Sequence, residues 1–187
     1  MFLTILGNSL TPQMKNRRLL VRKMRESIFK SGLLSGYPKV IHALISLYEA
    51  TPEELRDTEL LRDPTRSKEE AAAGGQAYFD LQYGDTAAEI QPMLKSIYPD
   101  LEHFTMTLGY GYVYAFLEVI SSKETSFTII SALIANDTLS QVEWKLTGAV
   151  RNGATIEEVR GVREIALKIA MKAGILNMEF PTFDRID

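Results

Sequence analysis

Apolar residues recur at helical spacing between residues 138 and 174, and this pattern predicts two helices joined by a short turn. The apolar face of the first helix consists of Val142, Leu146, Ala149 and Val150. The apolar face of the second helix consists of Val159, Val162, Ile165, Ala166, Ile169, Ala170 and Ala173. Faces of this kind are typical of a buried helical hairpin, and the alanines favour a close approach of the two helices.

Both helices are bounded by residues that favour a helix end. Thr138 and Thr155 are each followed three residues later by Gln or Glu, which is the spacing of a capping box. Gly153 and Gly174 come after the apolar positions, and glycine adopts the left-handed conformation of a helix end without a Cβ clash. The sequence therefore predicts where each of the two helices begins and ends.

Helical patterns continue in the rest of the chain. Thr11-Pro12 favours the start of a first helix, because proline is well tolerated at the first helical position. Residues 38–48 and 126–135 are apolar on most sides, which is typical of buried helices. His42 lies within the first of these segments and is expected to be a core or edge residue.

Residues 104–120 contain many Thr, Tyr and Val residues and favour a strand on propensity. No second strand-like run is available to pair with this segment, and a lone strand is not stable. We therefore predict a helix over residues 101–119, with a soft point at residues 109–111. The whole chain is then all-α.

A short internal similarity links the two ends of the chain. Residues 25–36, RESIFKSGLLSG, align with residues 163–174, REIALKIAMKAG, and Arg, Glu, Lys and the final Gly have identical spacing. A match of this length also arises by chance. We interpret it as the remnant of a duplicated helix.

The composition predicts one ordinary globular domain over residues 1–187, with 45% hydrophobic and 24% charged residues. The net charge of −3 does not favour nucleic acid as a partner, and no apolar run reaches the ~18–20 residues of a membrane-spanning helix. The absence of cysteine excludes disulfides and thiolate metal sites. The two histidines, His42 and His103, are not at a metal-ligand spacing, and we expect neither a metal nor a cofactor.

The first 25 residues contain six basic residues and no acidic residue. This composition is typical of a mitochondrial targeting segment, and it also fits a basic face on the first helix, which we favour because that helix takes part in the internal similarity. Residues 185–187, RID, do not match a C-terminal peroxisomal address. We expect a soluble intracellular protein of the cytoplasm, with mitochondria as the alternative.

Residues 145–175, KLTGAVRNGATIEEVRGVREIALKIAMKAGI, resemble the carboxymuconolactone decarboxylase family, whose members share the AhpD-like fold. The family motif is H-x-x-x-A-x-x-x-G, followed by a Thr cap, two Glu residues and a helix that ends in Gly. The matching residues are Ala149, Gly153, Thr155, Glu157, Glu158 and Gly174. The resemblance implies an AhpD-like helical bundle that assembles as a homo-trimer or homo-hexamer.

The chain departs from this family at the reactive positions. Lys145 occupies the position of the family His, and the C-x-x-C pair of the peroxidase branch falls on Thr138 and Gln141. Without cysteine, the chain cannot perform the thiol peroxidase cycle of that branch. The resemblance therefore implies a scaffold, whereas the chemistry is left open.

Three residues are candidate catalytic groups. Lys145 in an apolar pocket would act as a base or Schiff-base nucleophile, or would pair with an anionic substrate; the alternative is a surface or salt-bridged lysine. His103 is a candidate general acid or base, because an unperturbed histidine titrates near neutrality. Tyr112 alternates with Tyr110 and Tyr114, and these three either line a pocket or pack at a subunit interface.

Two classes of function are compatible with these observations. In the first, the protein is a carboxymuconolactone decarboxylase-like enzyme, a non-redox lyase or isomerase that acts on a small carboxylate or lactone. In the second, it is a non-catalytic oligomer of the same family with a ligand-binding or structural role. The environment of Lys145 distinguishes them, because the enzyme needs this lysine in a closed apolar pocket.

Overall fold

The computed structural model describes residues 17–175, and this part of the chain is helical without any strand. The α-helices are α1 (Arg17–Ser35), α2 (Tyr37–Ala50), α3 (Lys68–Tyr83), α4 (Ala87–Ile97), α5 (Pro99–Phe104), α6 (Ser122–Ala135), α7 (Leu139–Arg151) and α8 (Ile156–Lys172). A π-helix, Thr105–Tyr114, continues α5, and short 3₁₀ helices cover Glu53–Leu55 and Gly84–Thr86. The predicted all-α class is confirmed, and the AhpD-like arrangement stays a prediction. The helix start predicted at Thr11-Pro12, Lys15 of the basic segment and the C-terminal tripeptide lie outside the described residues.

Helix α6 is the centre of the bundle and packs against α1, α7 and α8. The helix is apolar on most sides along its length, so it is stable only when other helices surround it. The pair formed by α3 and the π-helix closes the other side of the same core. The fully buried apolar side chains of this core include Phe79, Ile129, Ile130, Leu146 and Val159.

The turn between α7 and α8 forms as predicted. The hydroxyl of Thr155 accepts from the backbone N–H of Glu158 at 3.1 Å, and the Glu158 carboxylate accepts from the N–H of Thr155 at 2.9 Å. Gly153 has a φ of 91° and Gly174 has a φ of 73°, which are left-handed values. The capping box predicted at Thr138 is wrong, because that hydroxyl donates to the carbonyl of Leu133 at the end of α6.

The predicted close packing of α7 against α8 is wrong. Helix α8 lies mainly against α6 and contacts α7 much less. As a result Val159, Ala166 and Ala170 are buried, whereas Ile165 and Ile169 are exposed. The following residues of the two predicted apolar faces are also exposed: Val150 and Ala173.

Helix α2 is buried on one side only, which corrects the expectation for residues 38–48. It packs mainly against α1, through Val40 and Leu47. Ile41 and Ile45 are exposed, and so is His42. Contact with a single neighbouring helix covers only one stripe of a helix, so the rest of its apolar surface faces away from the described core.

The segment with strand-like composition contains a π-helix, Thr105–Tyr114. Its hydrogen bonds connect residues five apart, as in the 2.8 Å bond from the N–H of Ala115 to the carbonyl of Tyr110. The helix ends at Tyr114, and residues 115–121 are not helical, so the predicted helix is too long. The predicted soft point is instead a tight contact with α3, because a Cβ on Gly111 would lie 2.5 Å from the carbonyl oxygen of Ala71.

A buried lysine connects α1 to the end of the π-helix. Lys30 is fully buried, and its Nζ donates to the carbonyls of Tyr114 and Phe116 and to the hydroxyl of Thr125, at 2.6–3.1 Å. Burial lowers the pKa of Lys30 to about 8. Lys168, its counterpart in the internal similarity, is exposed. The two segments share the glycine at the helix end, whereas the duplication itself stays a prediction.

Candidate functional site

An apolar cavity of about 580 Å³ lies at the end of the bundle where α1, α3, the π-helix, α6 and α7 meet. Its wall is formed largely by aliphatic and aromatic side chains from six helices, among them Leu33, Leu34, Phe79, Leu94, Leu133 and Ile129. The polar side chains that line it are Tyr83, Thr105, Tyr110, Tyr114, Thr138, Gln141 and Lys145. The volume falls within the roughly 300–1,000 Å³ of small-molecule sites.

Lys145 is the cationic group of this cavity. Helix α7 places it on the inner face, one residue before the fully buried Leu146, and the lysine itself is only 6% exposed. Its Nζ donates to the hydroxyl oxygens of Tyr83 at 2.7 Å and Tyr110 at 2.9 Å. The same nitrogen lies 4.1 Å from the centre of the Tyr83 ring, which is a favourable position for a cation.

No carboxylate in residues 17–175 forms an ion pair with Lys145. Burial disfavours the charged form of an amine, and here it lowers the pKa of Lys145 to about 7. An ammonium group has three N–H donors, and the described residues accept two of them. The third N–H of the ammonium is therefore available to donate to an acceptor on a molecule in the cavity.

The tyrosines around Lys145 are neutral. Burial raises the pKa of Tyr83, Tyr110 and Tyr114, so each keeps its hydroxyl proton at neutral pH. The hydroxyl of Tyr110 donates to that of Tyr83 at 3.4 Å, and the two rings are braced by Phe79, which lies 4.5 Å and 5.0 Å from their centres. At the base of the cavity, the titratable amine of Lys145 therefore lies between two neutral hydroxyl groups, those of Tyr83 and Tyr110.

The structure does not bring the other two candidate residues to Lys145. His103 lies on α5 with an exposed side chain, and its ring is beside that of Phe104. Tyr112 is on the opposite side of the π-helix, where its hydroxyl donates to the carbonyl of Arg66 at 3.1 Å. The catalytic roles of Lys145, His103 and Tyr112 stay predictions, and the groups that share the cavity with Lys145 are other tyrosines.

A buried polar cluster lies behind Lys145, one and two helical turns further along α7. The side-chain amide of Asn152 donates to the Gln82 side chain at 3.0 Å and to the Ser126 hydroxyl at 2.8 Å. Gly148 leaves the space for this cluster, because a Cβ there would lie 2.6 Å from the backbone oxygen of Gln82. These bonds join α3, α6 and α7, and they fix the position of Tyr83 next to Gln82.

A second depression of about 760 Å³ lies between α1, α6 and α8 and is more open. Its charged residues, Lys23 and Glu124, pair with each other at 2.5 Å. It therefore offers no buried charge to a ligand.

Within residues 17–175, no group of three His, Asp or Glu side chains is placed to hold a metal ion. None of the helices in that range is long and apolar enough to cross a bilayer.

Comparison with known proteins gives the family. The chain is 35% identical over 153 aligned positions to Peroxisomal protein 2 of Schizosaccharomyces pombe. This alignment covers 82% of the chain and 71% of the yeast protein. It is 30% identical over 182 aligned positions to Peroxisomal protein 2 of Saccharomyces cerevisiae. This alignment covers 85% of the chain and 64% of that yeast protein, so the chain spans just under two thirds of the relative's length. The chain belongs to the Peroxisomal protein 2 family. No family model and no solved structure matches it.

The family corrects the predicted function. The carboxymuconolactone decarboxylase-like lyase or isomerase is wrong, because the relatives with high coverage are named as peroxisomal proteins. The predicted intracellular location agrees with this family, whereas the narrower cytoplasmic expectation has no support from it. The resemblance of residues 145–175 to the AhpD-like scaffold stays a prediction.

Proposed function

We propose that this chain works in peroxisomes and that its cavity binds an apolar carboxylic acid, with the carboxylate on Lys145 and the aliphatic tail along the cavity wall. The observation that carries the proposal is a buried lysine at the base of an apolar cavity, with no acidic partner among the described residues. The name of the two yeast relatives supports the compartment.

The head group follows from the charge and the donors of the site. A carboxylate would accept the third N–H of the Lys145 ammonium, and charge-assisted hydrogen bonds of this kind contribute about 1.5–3 kcal/mol. The hydroxyls of Tyr83 and Tyr110 keep their protons, and because the Tyr110 hydroxyl donates to Tyr83, the Tyr83 hydroxyl is the one that can donate to a carboxylate oxygen. The cavity wall shields this contact from water and from salt.

The tail follows from the wall. Each buried methylene contributes about 0.8 kcal/mol, so a tail of about seven methylenes contributes roughly 6 kcal/mol before the cost of association. Large apolar residues at the mouth of the cavity are 41–54% exposed: Leu33, Leu101, Phe104 and Leu108. An apolar mouth favours access by an aliphatic molecule over access by a small hydrophilic acid.

The binding test compares octanoic acid with 1-octanol in titration calorimetry on the full chain. Octanoate is expected to bind the wild type and to lose about 30-fold in affinity in Lys145→Met, which has a similar length and no charge. Octanol, which lacks the charge, is expected to bind both proteins equally. Lys168→Met, on the exposed face of α8, is the matched control and should leave octanoate binding unchanged.

The affinity for octanoate is also expected to fall with rising pH. The pKa of Lys145 in the free protein is about 7, so the ammonium form becomes scarce above that pH. The apparent affinity then decreases about tenfold over the first pH unit above 7 and levels off near the affinity of Lys145→Met, about 30-fold below its value at low pH. Equal octanoate binding in the wild type and Lys145→Met, or no saturable binding of octanoate, contradicts the proposed site.

The compartment is tested separately. The full chain, with its own termini and an internal epitope in the exposed connection at Leu60, is localised by immunofluorescence against a peroxisomal matrix marker. Overlap with the marker is expected. A uniform cytoplasmic signal, or overlap with a mitochondrial marker, would refute the compartment and leave the binding test unaffected.

The homo-trimer or homo-hexamer remains part of this proposal. The exposed isoleucines of α2 and α8 supply apolar surface for subunit contacts. Nucleic acid and membrane are not among the proposed partners.

A further inference from the structure

We propose that Lys145 also captures aliphatic aldehydes, by forming an imine between its Nζ and the former carbonyl carbon. The inference rests on the proposed function in one respect only, which is that the same cavity receives an aliphatic tail. It adds a covalent reaction that the binding of an acid does not require.

The hydrogen bonds of Lys145 suit a neutral amine. Such an amine has two N–H donors and one lone pair. The hydroxyl oxygens of Tyr83 and Tyr110 accept two hydrogen bonds from Nζ, at 2.7 Å and 2.9 Å. The lone pair is then left for an electrophile in the cavity, which Lys145 lines.

The surroundings favour the neutral form. Within residues 17–175, the titratable side chains that face Lys145 are Tyr83 and Tyr110, with Tyr114 behind them. Burial keeps all three uncharged. Helices α1 and α6 contribute only apolar residues to the cavity. A desolvated lysine without an acidic partner is the environment in which protein amines act as nucleophiles.

The reaction balances without an oxidant or a reductant. The Nζ lone pair attacks the carbonyl carbon, and the π electrons of the C=O bond move to its oxygen. One proton passes from Nζ to that oxygen through a neighbouring tyrosine hydroxyl, which gives a carbinolamine. Loss of the hydroxyl with the second Nζ proton forms the C=N bond and releases one water molecule. The hydroxyls of Tyr83 and Tyr110 lie within hydrogen-bond distance of the reacting nitrogen, so they are placed for this transfer.

The experiment is reductive trapping. The full chain is incubated with octanal and cyanoborohydride, which reduces an imine to a stable secondary amine, and the adduct is located by peptide mass mapping. We expect one adduct at Lys145 that forms roughly tenfold or more faster than at any other lysine. The rate is expected to rise about tenfold between pH 6 and pH 8 and then to level off, opposite to the trend for octanoate affinity.

Two variants make the outcome decisive. Lys145→Arg keeps the positive charge but cannot form an imine. Lys145→Met has no charge and cannot form an imine either. Retained octanol binding shows that each variant still has its cavity. Adducts that form on surface lysines at equal rates in the wild type and Lys145→Arg overturn the inference. Octanoate binding without a Lys145 adduct overturns the imine alone, whereas a Lys145 adduct without octanoate binding overturns the acid alone.

Discussion

Replacement of Lys145 by methionine is expected to make the folded protein more stable at neutral pH. The wild type buries an amine that has no acidic partner among the described residues, and methionine fills a similar volume without a charge. A residue that lowers stability in this way is typical of functional sites, where a strained or desolvated group is kept for its reactivity. The prediction therefore tests the physical basis of both proposals without any ligand.

The magnitude follows from the pKa of Lys145. A decrease from the ordinary 10.5 to about 7 corresponds to about 5 kcal/mol of lost stability while the amine is protonated. Methionine removes this cost and also removes the hydrogen bonds to Tyr83 and Tyr110, which contribute about 1 kcal/mol each. Lys145→Met should therefore be about 3 kcal/mol more stable than the wild type at pH 6.

The pH dependence has a definite sign. Below pH 7 the lysine is protonated in both the folded and the unfolded chain, so the whole cost is present. Between pH 7 and 10.5 the unfolded chain binds the proton more often than the folded protein, so rising pH stabilises the wild-type fold. The advantage of Lys145→Met should shrink by about 3 kcal/mol between pH 6 and pH 9 and come close to zero.

Urea unfolding followed by far-UV circular dichroism at pH 6, 7, 8 and 9 measures this difference. Lys168→Met is the control, since the Lys168 side chain is 76% exposed, and its effect should be small and independent of pH. A Lys145→Met protein that is less stable than the wild type at pH 6, or a difference that does not change with pH, would refute the reasoning about the buried amine.

Three further predictions concern the scaffold. Gly148→Ala should destabilise the fold by more than about 3 kcal/mol, because the new Cβ overlaps Gln82, whereas Gly161→Ala has open space in α8 and should stabilise by up to about 1 kcal/mol; thermal unfolding of the pair checks both signs. Thr155→Ala should cost about 1 kcal/mol through the capping box with Glu158, measured by urea unfolding, and Thr155→Ser should restore most of it. Light scattering after size exclusion should give a mass of three or six times 21.0 kDa, and a monomer would contradict the predicted assembly.

The sequence was sufficient for several helix ends, although the capping box predicted at Thr138 does not form. The helix ends at Thr155, Gly153 and Gly174 depend on neighbouring residues only, so their side-chain chemistry predicted them correctly. Burial depends on the arrangement of whole helices. Ile165 and Ile169 are exposed because α8 packs on α6, and helical spacing carries no information about which neighbour covers a face.

The candidate site was predictable in part. Lys145 was identified because it occupies the position of the family His in the resemblance. Tyr83 carries no local signal, and it reaches Lys145 only because α3 packs against α7. Tyr112 does not line the cavity of Lys145, although it alternates with two tyrosines that do. In the π-helix, Tyr110 and Tyr114 lie on the cavity side and Tyr112 lies on the other, which a pattern of period two could not separate.

The contact between Gly75 of α3 and Gly111 of the π-helix has a consequence for how the cavity can change over time. A Cβ at Gly75 would overlap the backbone oxygen of Met106, so the two main chains touch without side chains between them. The distance between the two helices that carry Tyr83 and Tyr110 is therefore set by backbone contact. Substitutions among the aliphatic wall residues can then alter the length and shape of the ligand tail that the cavity accepts. The arrangement of the groups around the Lys145 amine stays the same.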